Sequence, residues 1–178
     1  MIVLETERLI LRQFSIADAK FILTLLNEPS FLRFIGDKKV RDIDGAQQYI
    51  LNGPIASYKQ KGFGLYLVAL RESGTPIGMC GLLKREELPD VDIGFAFLPA
   101  FWNQGFAFEA AAGVIKYGEQ ELKLKRLVAI TNPDNEASIK LLQRLGFTFE
   151  GVITLSDGRD QVKLFARDYD WRFGVDSI

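Results

Sequence analysis

Two kinds of strand connection in the same chain constrain its fold most strongly. Residues 65–70 and 76–84 are apolar segments of strand length joined by a short Gly-containing turn, which predicts an antiparallel hairpin. Further along, strand segments at 91–97 and 125–130 flank a helical pattern over 106–122, and such a strand–helix–strand unit favours parallel pairing. The sequence therefore predicts an α+β fold with a mixed sheet flanked by helices.

The rest of the chain fits the same class. The order is β-α-α-β-β-β-α-β-α-β-β, with further strands over 4–13, 147–153 and 162–166 and further helices over 15–26, 45–61 and 135–145. Pro54 lies inside the second helix and predicts a kink or a break there, and Gly62 suits the end of that helix. No linker, repeat or low-complexity segment interrupts the pattern, so we expect a single domain over residues 1–178.

Composition excludes several classes of function. The chain has no histidine and one cysteine, Cys80, which excludes a Ser-His-Asp or Cys-His nucleophile, a His-ligated metal site and an internal disulfide. Lys and Arg (22) balance Asp and Glu (23), which argues against a nucleic-acid-binding or anionic-membrane surface. Because no apolar run approaches the ~20 residues of a membrane helix and no signal-peptide pattern is present, we expect a cytoplasmic protein without metal, nucleic-acid or membrane partners.

One segment carries a pattern for anion binding. Residues 92–109 read as a strand, a tight loop with Gly105 and a helix start rich in small residues. The amides of such a helix start point at one spot with about half a positive charge, and Gly105 and Ala107 leave room there for a pyrophosphate. Ordinary turn chemistry gives the same pattern, and the segment matches neither the P-loop nor the three-glycine dinucleotide motif. The pattern alone therefore does not name a ligand.

Three motifs in order give a specific resemblance. Residues 92–95 (DIGF), 99–110 (PAFWNQGFAFEA) and 132–147 (NPDNEASIKLLQRLGF) resemble the GNAT superfamily of N-acetyltransferases. Together with the opening residues 4–12 (LETERLILR), they look like its RimJ/RimL branch, which acetylates the N-terminal alanine or serine of ribosomal proteins. The resemblance covers about residues 4–170. It implies an acetyltransferase with a GNAT-like, mostly antiparallel central sheet that splays between its fourth and fifth strands.

The resemblance also implies acetyl-CoA as co-substrate, with direct transfer of its acetyl group to an amine and no metal. The pantetheine arm would lie in the splay and pair like an extra strand with the backbone of Phe95, Ala96 and Phe97. A segment that we name the phosphate loop would hold the pyrophosphate, and it consists of Trp102, Asn103, Gln104, Gly105, Phe106 and Ala107. The superfamily has Gln or Arg at the position of Trp102, a departure that affects a side-chain contact but not a backbone site.

Asn135 and Ser138 match the Asn-x-x-Ser pattern of the family. For Asn135 the resemblance implies a cofactor contact, while the residue type alone suits a helix N-cap. Ser138 begins an inward-facing helical stripe with Leu141, Leu142 and Leu145. Its hydroxyl either bonds back to the preceding turn or donates a proton to the leaving thiolate. Many relatives carry Tyr where this chain has Leu142, which favours Ser138 as the proton donor.

Asp92 is the candidate general base, at a position where many relatives carry a carboxylate. Acetyl transfer needs a neutral amine, and no histidine is available to take its proton. Strand alternation puts Asp92 on one face with Gly94 and Ala96, where a partly apolar environment would favour proton uptake. A solvated edge charge or a salt bridge to Arg85 is the alternative role. Glu109, in the first turn of its helix, suits a residue that complements the helix dipole better than a base.

The sequence leaves the acceptor open. A protein N-terminal α-amine, in particular that of a ribosomal protein, comes first because of the RimJ/RimL resemblance. A small amine such as a polyamine, an amino acid or an amine-bearing antibiotic comes second. A non-catalytic acyl-CoA-binding module is the alternative outside enzymes, because a fold can keep a ligand and lose its chemistry. The motifs do not specify assembly, and a homodimer is one state that they allow.

Overall fold

A computed structural model describes residues 1–156 and 161–169 of the chain. One eight-stranded sheet runs through them in the order β1-β2-β3-β4-β5-β6-β8-β7. The strands are β1 (Ile2–Glu5), β2 (Leu9–Arg12), β3 (Leu65–Leu70), β4 (Pro76–Leu83), β5 (Asp92–Phe97), β6 (Arg126–Thr131), β7 (Thr148–Ile153) and β8 (Val162–Asp168). The helices are α1 (Ala19–Leu26), α2 (Pro29–Phe34), α3 (Ile43–Ile50), α4 (Ala56–Lys61), α5 (Phe106–Gln120) and α6 (Glu136–Arg144).

The sheet opens between β5 and β6. These two strands run parallel, whereas every other neighbouring pair is antiparallel. They share one registered residue pair, Asp92 with Val128, while β5 is registered with β4 along its whole length, from Asp92 to Phe97. Beyond the Asp92–Val128 pair the two strands diverge. The mixed, mostly antiparallel sheet with flanking helices, and its splay at this pair of strands, are therefore confirmed.

Each face of the sheet carries its own apolar core. On one face α5 and α6 pack against the strands, and on the other face α1 and α3 do so. Alternation along β3 sends Tyr66 and Val68 into the α5 core, while Leu67 and Ala69 enter the α1 core. Because helices cover both faces, the central strands read as continuous apolar runs, and this made them recognisable in the sequence.

The helix predicted over 45–61 is broken, as Pro54 indicates. The chain forms α3, then a π-helical turn over Leu51–Ile55, and then α4. Proline has no N–H for the i→i−4 bond and its ring crowds the preceding turn, so the helix widens at this point. Gly62 follows α4 in the left-handed conformation, with φ of 79°, and ends it as predicted.

The single strand predicted over 4–13 is wrong, because β1 and β2 form a hairpin there. The turn lies at Thr6, whose N–H donates to the Leu9 carbonyl at 2.9 Å and whose hydroxyl oxygen accepts from the Leu9 N–H at 3.1 Å. Threonine thus supplies the turn through its side chain, without the Gly or Pro that marks most turns. The hairpin brings residues 6–8 against the start of α5.

Candidate active site

A cavity of about 690 Å³ lies where β5 and β6 diverge, within the roughly 300–1,000 Å³ typical of small-molecule sites. Four parts of the chain form its walls: the α1–α2 segment, the second half of β5, the phosphate loop with the start of α5, and α6. Every cofactor-binding residue predicted from the sequence, except Gln104, lines this cavity. They are Phe95, Ala96, Phe97, Trp102, Asn103, Gly105, Phe106, Ala107, Asn135 and Ser138.

The phosphate loop is shaped to present amides at the start of α5. Asn103 and Gly105 adopt positive φ angles of 58° and 81°. The Glu109 N–H donates to the Gly105 carbonyl at 3.0 Å, which is the first i→i−4 bond of the helix. The N–H groups of residues 106–108 come before this bond, and no carbonyl lies one helical turn earlier to accept from them. They lie at the positive end of a 15-residue helix, where an anion is favoured.

Two side chains of the phosphate loop bind the protein itself. The Trp102 indole N–H donates to the Phe97 carbonyl at 2.8 Å, so the aromatic residue ties the loop to the end of β5. This contact accounts for a tryptophan where the superfamily has Gln or Arg. The Gln104 side chain donates to the Ala100 carbonyl at 3.0 Å. Because Gln104 does not line the cavity, its contact with the cofactor stays a prediction.

The second half of β5 presents a free edge to the cavity. Beyond Asp92, β5 is registered with β4 on one side and with no described strand on the other. Backbone groups of Phe95, Ala96 and Phe97 on the second side can therefore pair with an extended ligand. Side chains alternate as predicted: Phe95 and Phe97 pack toward α5, and Ala96 packs toward α1.

Asn135 and Ser138 meet at the start of α6. The Asn135 side-chain oxygen accepts from the Ser138 N–H at 3.2 Å, which confirms the N-cap role of Asn135. Its contact with the cofactor stays a prediction. The Ser138 hydroxyl makes no hydrogen bond to any residue that the structure describes, so the bond back to the preceding turn is not formed. Leu142 is buried at 1% exposure and belongs to the core.

Three lining residues lie within the sequence motifs but were given no role there: Phe108, Lys140 and Arg144. The Arg144 guanidinium lies over the Phe108 ring, 4.6 Å from its centroid. Lys140 and Arg144 are four residues apart and therefore lie on the same side of α6. Two cations beside an aromatic ring suit a phosphorylated nucleotide. In the sequence this spacing looks like an ordinary solvated helix face, so it gave no distinct signal.

Asp92 lies at the closed end of the splay and not on the cavity wall. It is 1% exposed, and its Oδ2 is 3.2 Å from Nε of Arg85, so the predicted salt bridge is present. Phe95 is three residues further along β5, a distance of about 10 Å from Asp92. The role of Asp92 as general base stays a prediction.

Glu109 is engaged by the β1–β2 turn. Its carboxylate accepts hydrogen bonds from the Thr6 hydroxyl at 2.6 Å, the Arg8 N–H at 2.8 Å and the Arg8 Nε at 2.7 Å. Burial alone would raise the pKa of Glu109, but these donors outweigh burial and lower its pKa below the usual range. A carboxylate held in its ionised form in this way is a poor base at neutral pH. This supports the expectation that Glu109 is not the general base.

One wall of the cavity is aromatic and carries one carboxylate. The α1–α2 segment contributes Phe31, Phe34 and Glu28, together with Leu25, Ser30 and Ile35. Glu28 is half-buried and precedes the first residue of α2. A single negative charge beside apolar rings suits a ligand with one positive charge and an apolar body.

The single cysteine lies in the core, away from the cavity. Cys80 is fully buried, and burial raises the pKa of its thiol, so it is a core residue and not a nucleophile. Within residues 1–156 and 161–169, no three His, Cys, Asp or Glu side chains cluster as metal ligands would. Over the same residues, no helix has the length and apolar character needed to span a membrane.

The sequence is similar to a known protein family and to curated proteins. The sequence matches the model of the acetyltransferase (GNAT) domain over residues 8–148. It is 34% identical to the uncharacterized N-acetyltransferase YoaA of Bacillus subtilis (strain 168) over 152 residues, which cover 85% of each chain.

Solved structures share the fold. The acetyltransferase from Agrobacterium tumefaciens strain C58 superposes with a TM-score of 0.81 at 24% identity, covering 95% of both chains. The ribosomal-protein alpha-N-acetyltransferase RimL, in complex with coenzyme A, has a TM-score of 0.80 at 19% identity, covering 94% of this chain and 98% of that one. At these identities the similarity shows the fold and nothing about the acceptor.

Proposed function

The chain belongs to the GNAT family of N-acetyltransferases, and from this membership we propose that it transfers the acetyl group of acetyl-CoA directly to the N-terminal α-amine of a polypeptide. That it is an N-acetyltransferase follows from the family. We propose in addition which residues hold the cofactor, which groups transfer protons and which amine is the acceptor.

The observation that carries this proposal is the composition of the cavity. The phosphate loop, the free edge of β5 and Ser138 line it together with the aromatic wall of α2 and Glu28. Groups suited to the cofactor and groups suited to an amine therefore share one space. Direct transfer needs such a space, because the attacking nitrogen and the thioester carbon must approach to roughly 3–3.5 Å.

The reaction requires two proton movements. The amine nitrogen forms a bond to the thioester carbon, the C–S bond breaks, and the thiolate leaves with the electron pair. The proton lost by the amine goes through water to Asp92, at the closed end of the splay. The Ser138 hydroxyl faces the cavity without a protein partner among the described residues; it hydrogen-bonds to the departing thiolate and relays a proton to it, while solvent water returns a proton to Ser138.

An α-amine fits this chemistry better than a lysine-like amine. Its pKa is near 7.7–8.0, compared with about 10.4 for a lysine side chain, so on the order of a tenth of it is neutral at pH 7. Glu28 is the one carboxylate on the α1–α2 wall, and Glu136 lines the cavity from α6. The described lining thus has no cluster of carboxylates of the kind that a polyamine would need. The structural neighbour RimL is named an alpha-N-protein acetyltransferase, which makes this acceptor class the first to test.

We expect Ser138→Ala to lower kcat by about 10-fold to 100-fold, at or below the low end of general acid catalysis. The effect is modest because a thiol with a pKa near 8.5 leaves as a thiolate with little help. The dissociation constant of acetyl-CoA should stay within about twofold, because the hydroxyl acts on charge that develops only during the reaction. Ser138→Cys keeps a protonated group and should recover part of kcat. Equal losses of affinity and kcat would argue against a proton donor.

The acceptor is tested by competition among amines. Peptides that begin with Ala or Ser are offered beside spermidine, free amino acids and aminoglycosides, and kcat/KM is compared by CoA release and mass spectrometry. We expect a peptide to be preferred, and Nα-acetylated copies of the same peptides, which keep any lysine side chain, to be inert. A small amine preferred by more than about tenfold, or roughly 1.4 kcal/mol in transition-state binding, contradicts the proposed acceptor and leaves the enzyme class intact.

A further inference from the structure

The β1–β2 turn is fastened to α5 through one carboxylate. Glu109 Oε1 accepts from the Thr6 hydroxyl at 2.6 Å and from the Arg8 N–H at 2.8 Å, and Oε2 accepts from the Arg8 Nε at 2.7 Å. The Glu109 side chain is 18% exposed, so these bonds are partly shielded from water. We name the three residues Thr6, Arg8 and Glu109 the clasp.

From this position Arg8 touches the phosphate loop at three points. Its Nη1 donates to the Gln104 carbonyl at 3.0 Å. Its guanidinium carbon lies 4.4 Å from the centroid of the Phe106 ring. Its Nη2 lies 3.2 Å from the point that a Cβ on Gly105 would occupy. One planar group, already pinned by Glu109, therefore spans the loop from residue 104 to residue 106.

The phosphate loop needs support of this kind. Asn103 and Gly105 both hold positive φ angles, and glycine loses more backbone freedom than any other residue when it is fixed in one conformation. A loop that is already ordered before the ligand arrives spends less of its binding free energy on ordering. None of the clasp residues lines the cavity, so their effect on a ligand passes through the loop.

We propose that the clasp presets the phosphate loop for the pyrophosphate of acetyl-CoA, with Arg8 and Glu109 as positioning residues for the cofactor. The inference rests on the proposed function, because it requires the pyrophosphate to bind at the start of α5. It gives a role to the opening segment LETERLILR, which contributes nothing to the lining of the cavity.

The test compares two acetyl donors. S-acetyl-pantetheine carries the thioester and the pantetheine arm of acetyl-CoA but lacks the pyrophosphate. We expect Arg8→Met and Glu109→Gln each to weaken acetyl-CoA binding by about tenfold, while the affinity for S-acetyl-pantetheine changes by less than about twofold. The double variant should be no weaker than the worse single variant, because both break the same unit. Isothermal titration calorimetry gives these affinities without an acceptor amine.

Arg126→Met serves as the matched control. Arg126 is also partly exposed, at 31% against 44% for Arg8, and is paired with Asp90 and Asp168 outside the cavity. Its loss should lower Tm without changing either affinity. Equal weakening of both donors in the clasp variants would mean a general loss of structure and would overturn the proposal. If Gly105→Val abolishes acetyl-CoA binding while the clasp variants bind normally, the clasp alone is wrong. If Gly105→Val also binds acetyl-CoA normally, both the clasp proposal and the proposed phosphate site are wrong.

Discussion

Gly105→Val is expected to abolish the stabilisation of the protein by acetyl-CoA. At a hundredfold excess over Kd, a ligand of the native state adds about 2.7 kcal/mol, which raises Tm by about 5–10 °C for a chain of this length. Gly105 holds φ of 81°, and a Cβ there would lie 3.2 Å from Arg8 Nη2. A β-branched residue is strained at this φ and also crowds Arg8, so we expect the loop that presents the amides of α5 to shift and the rise in Tm to disappear. Thermal melts with and without acetyl-CoA measure it.

Gly62→Val separates this effect from backbone strain. Gly62 has nearly the same φ of 79°, and nothing lies within 4 Å of the point where its Cβ would be. It ends α4 and does not line the cavity. Both variants should lose on the order of 1–2 kcal/mol or more of unfolding free energy from the left-handed conformation. Only Gly62→Val should keep the response to acetyl-CoA. A normal response in Gly105→Val would place the pyrophosphate elsewhere.

Asp92→Asn is expected to lower kcat/KM by about 10²–10⁴-fold, the range for loss of a general base. The acidic limb of the kcat/KM profile reports the base of the free enzyme, so that limb should flatten in the variant. Asparagine keeps the size of the side chain at the closed end of the splay, where Asp92 is 1% exposed. Full activity across the pH range would remove Asp92 from the mechanism and leave water as the base.

Arg85→Met tests whether activity depends on the salt bridge between Arg85 and Asp92 or on the Asp92 carboxylate itself. Asp92 Oδ2 lies 3.2 Å from Arg85 Nε, so Asp92→Asn also breaks this pair. In Arg85→Met the carboxylate remains but loses the cation that favours its charged form. We therefore expect the acidic limb to move to higher pH while the plateau rate above it is largely kept. A loss as large as that of Asp92→Asn, with no movement of the limb, would make the pair structural.

The fold was predictable wherever its signals are local. Continuous apolar runs identified the central strands β3 and β4, the helical period identified α5, and Pro54 marked the break between α3 and α4. The N-terminal hairpin was missed because its turn uses the Thr6 side chain and not Gly or Pro. Residues 5–8 (ETER) are a polar run without Gly, Pro, Asn or Asp, so no residue type there marks a turn.

Some residues of the candidate site were likewise predictable from local sequence, and others were not. Gly105 and Ala107 were predictable because a phosphate loop needs small residues within a few positions of a helix start. The cap formed by Asn135 was predictable because its partner, Ser138, is three residues away. Lys140 and Arg144 were not, because their spacing on α6 is that of any solvated helix face.

By itself, the sequence determined the class of fold, the position of the splay, the loop with Gly105 before α5 and the family, because each depends on residue types within a short window or on their order along the chain. Only the tertiary structure decided what surrounds the charged groups. Glu109 accepts from residues 101 and 103 positions away, and Asp92 is buried against Arg85 at the closed end of the splay. Such contacts arise from the strand order β2-β3-β4-β5 and the packing of α5 across it, and no local pattern encodes their distances.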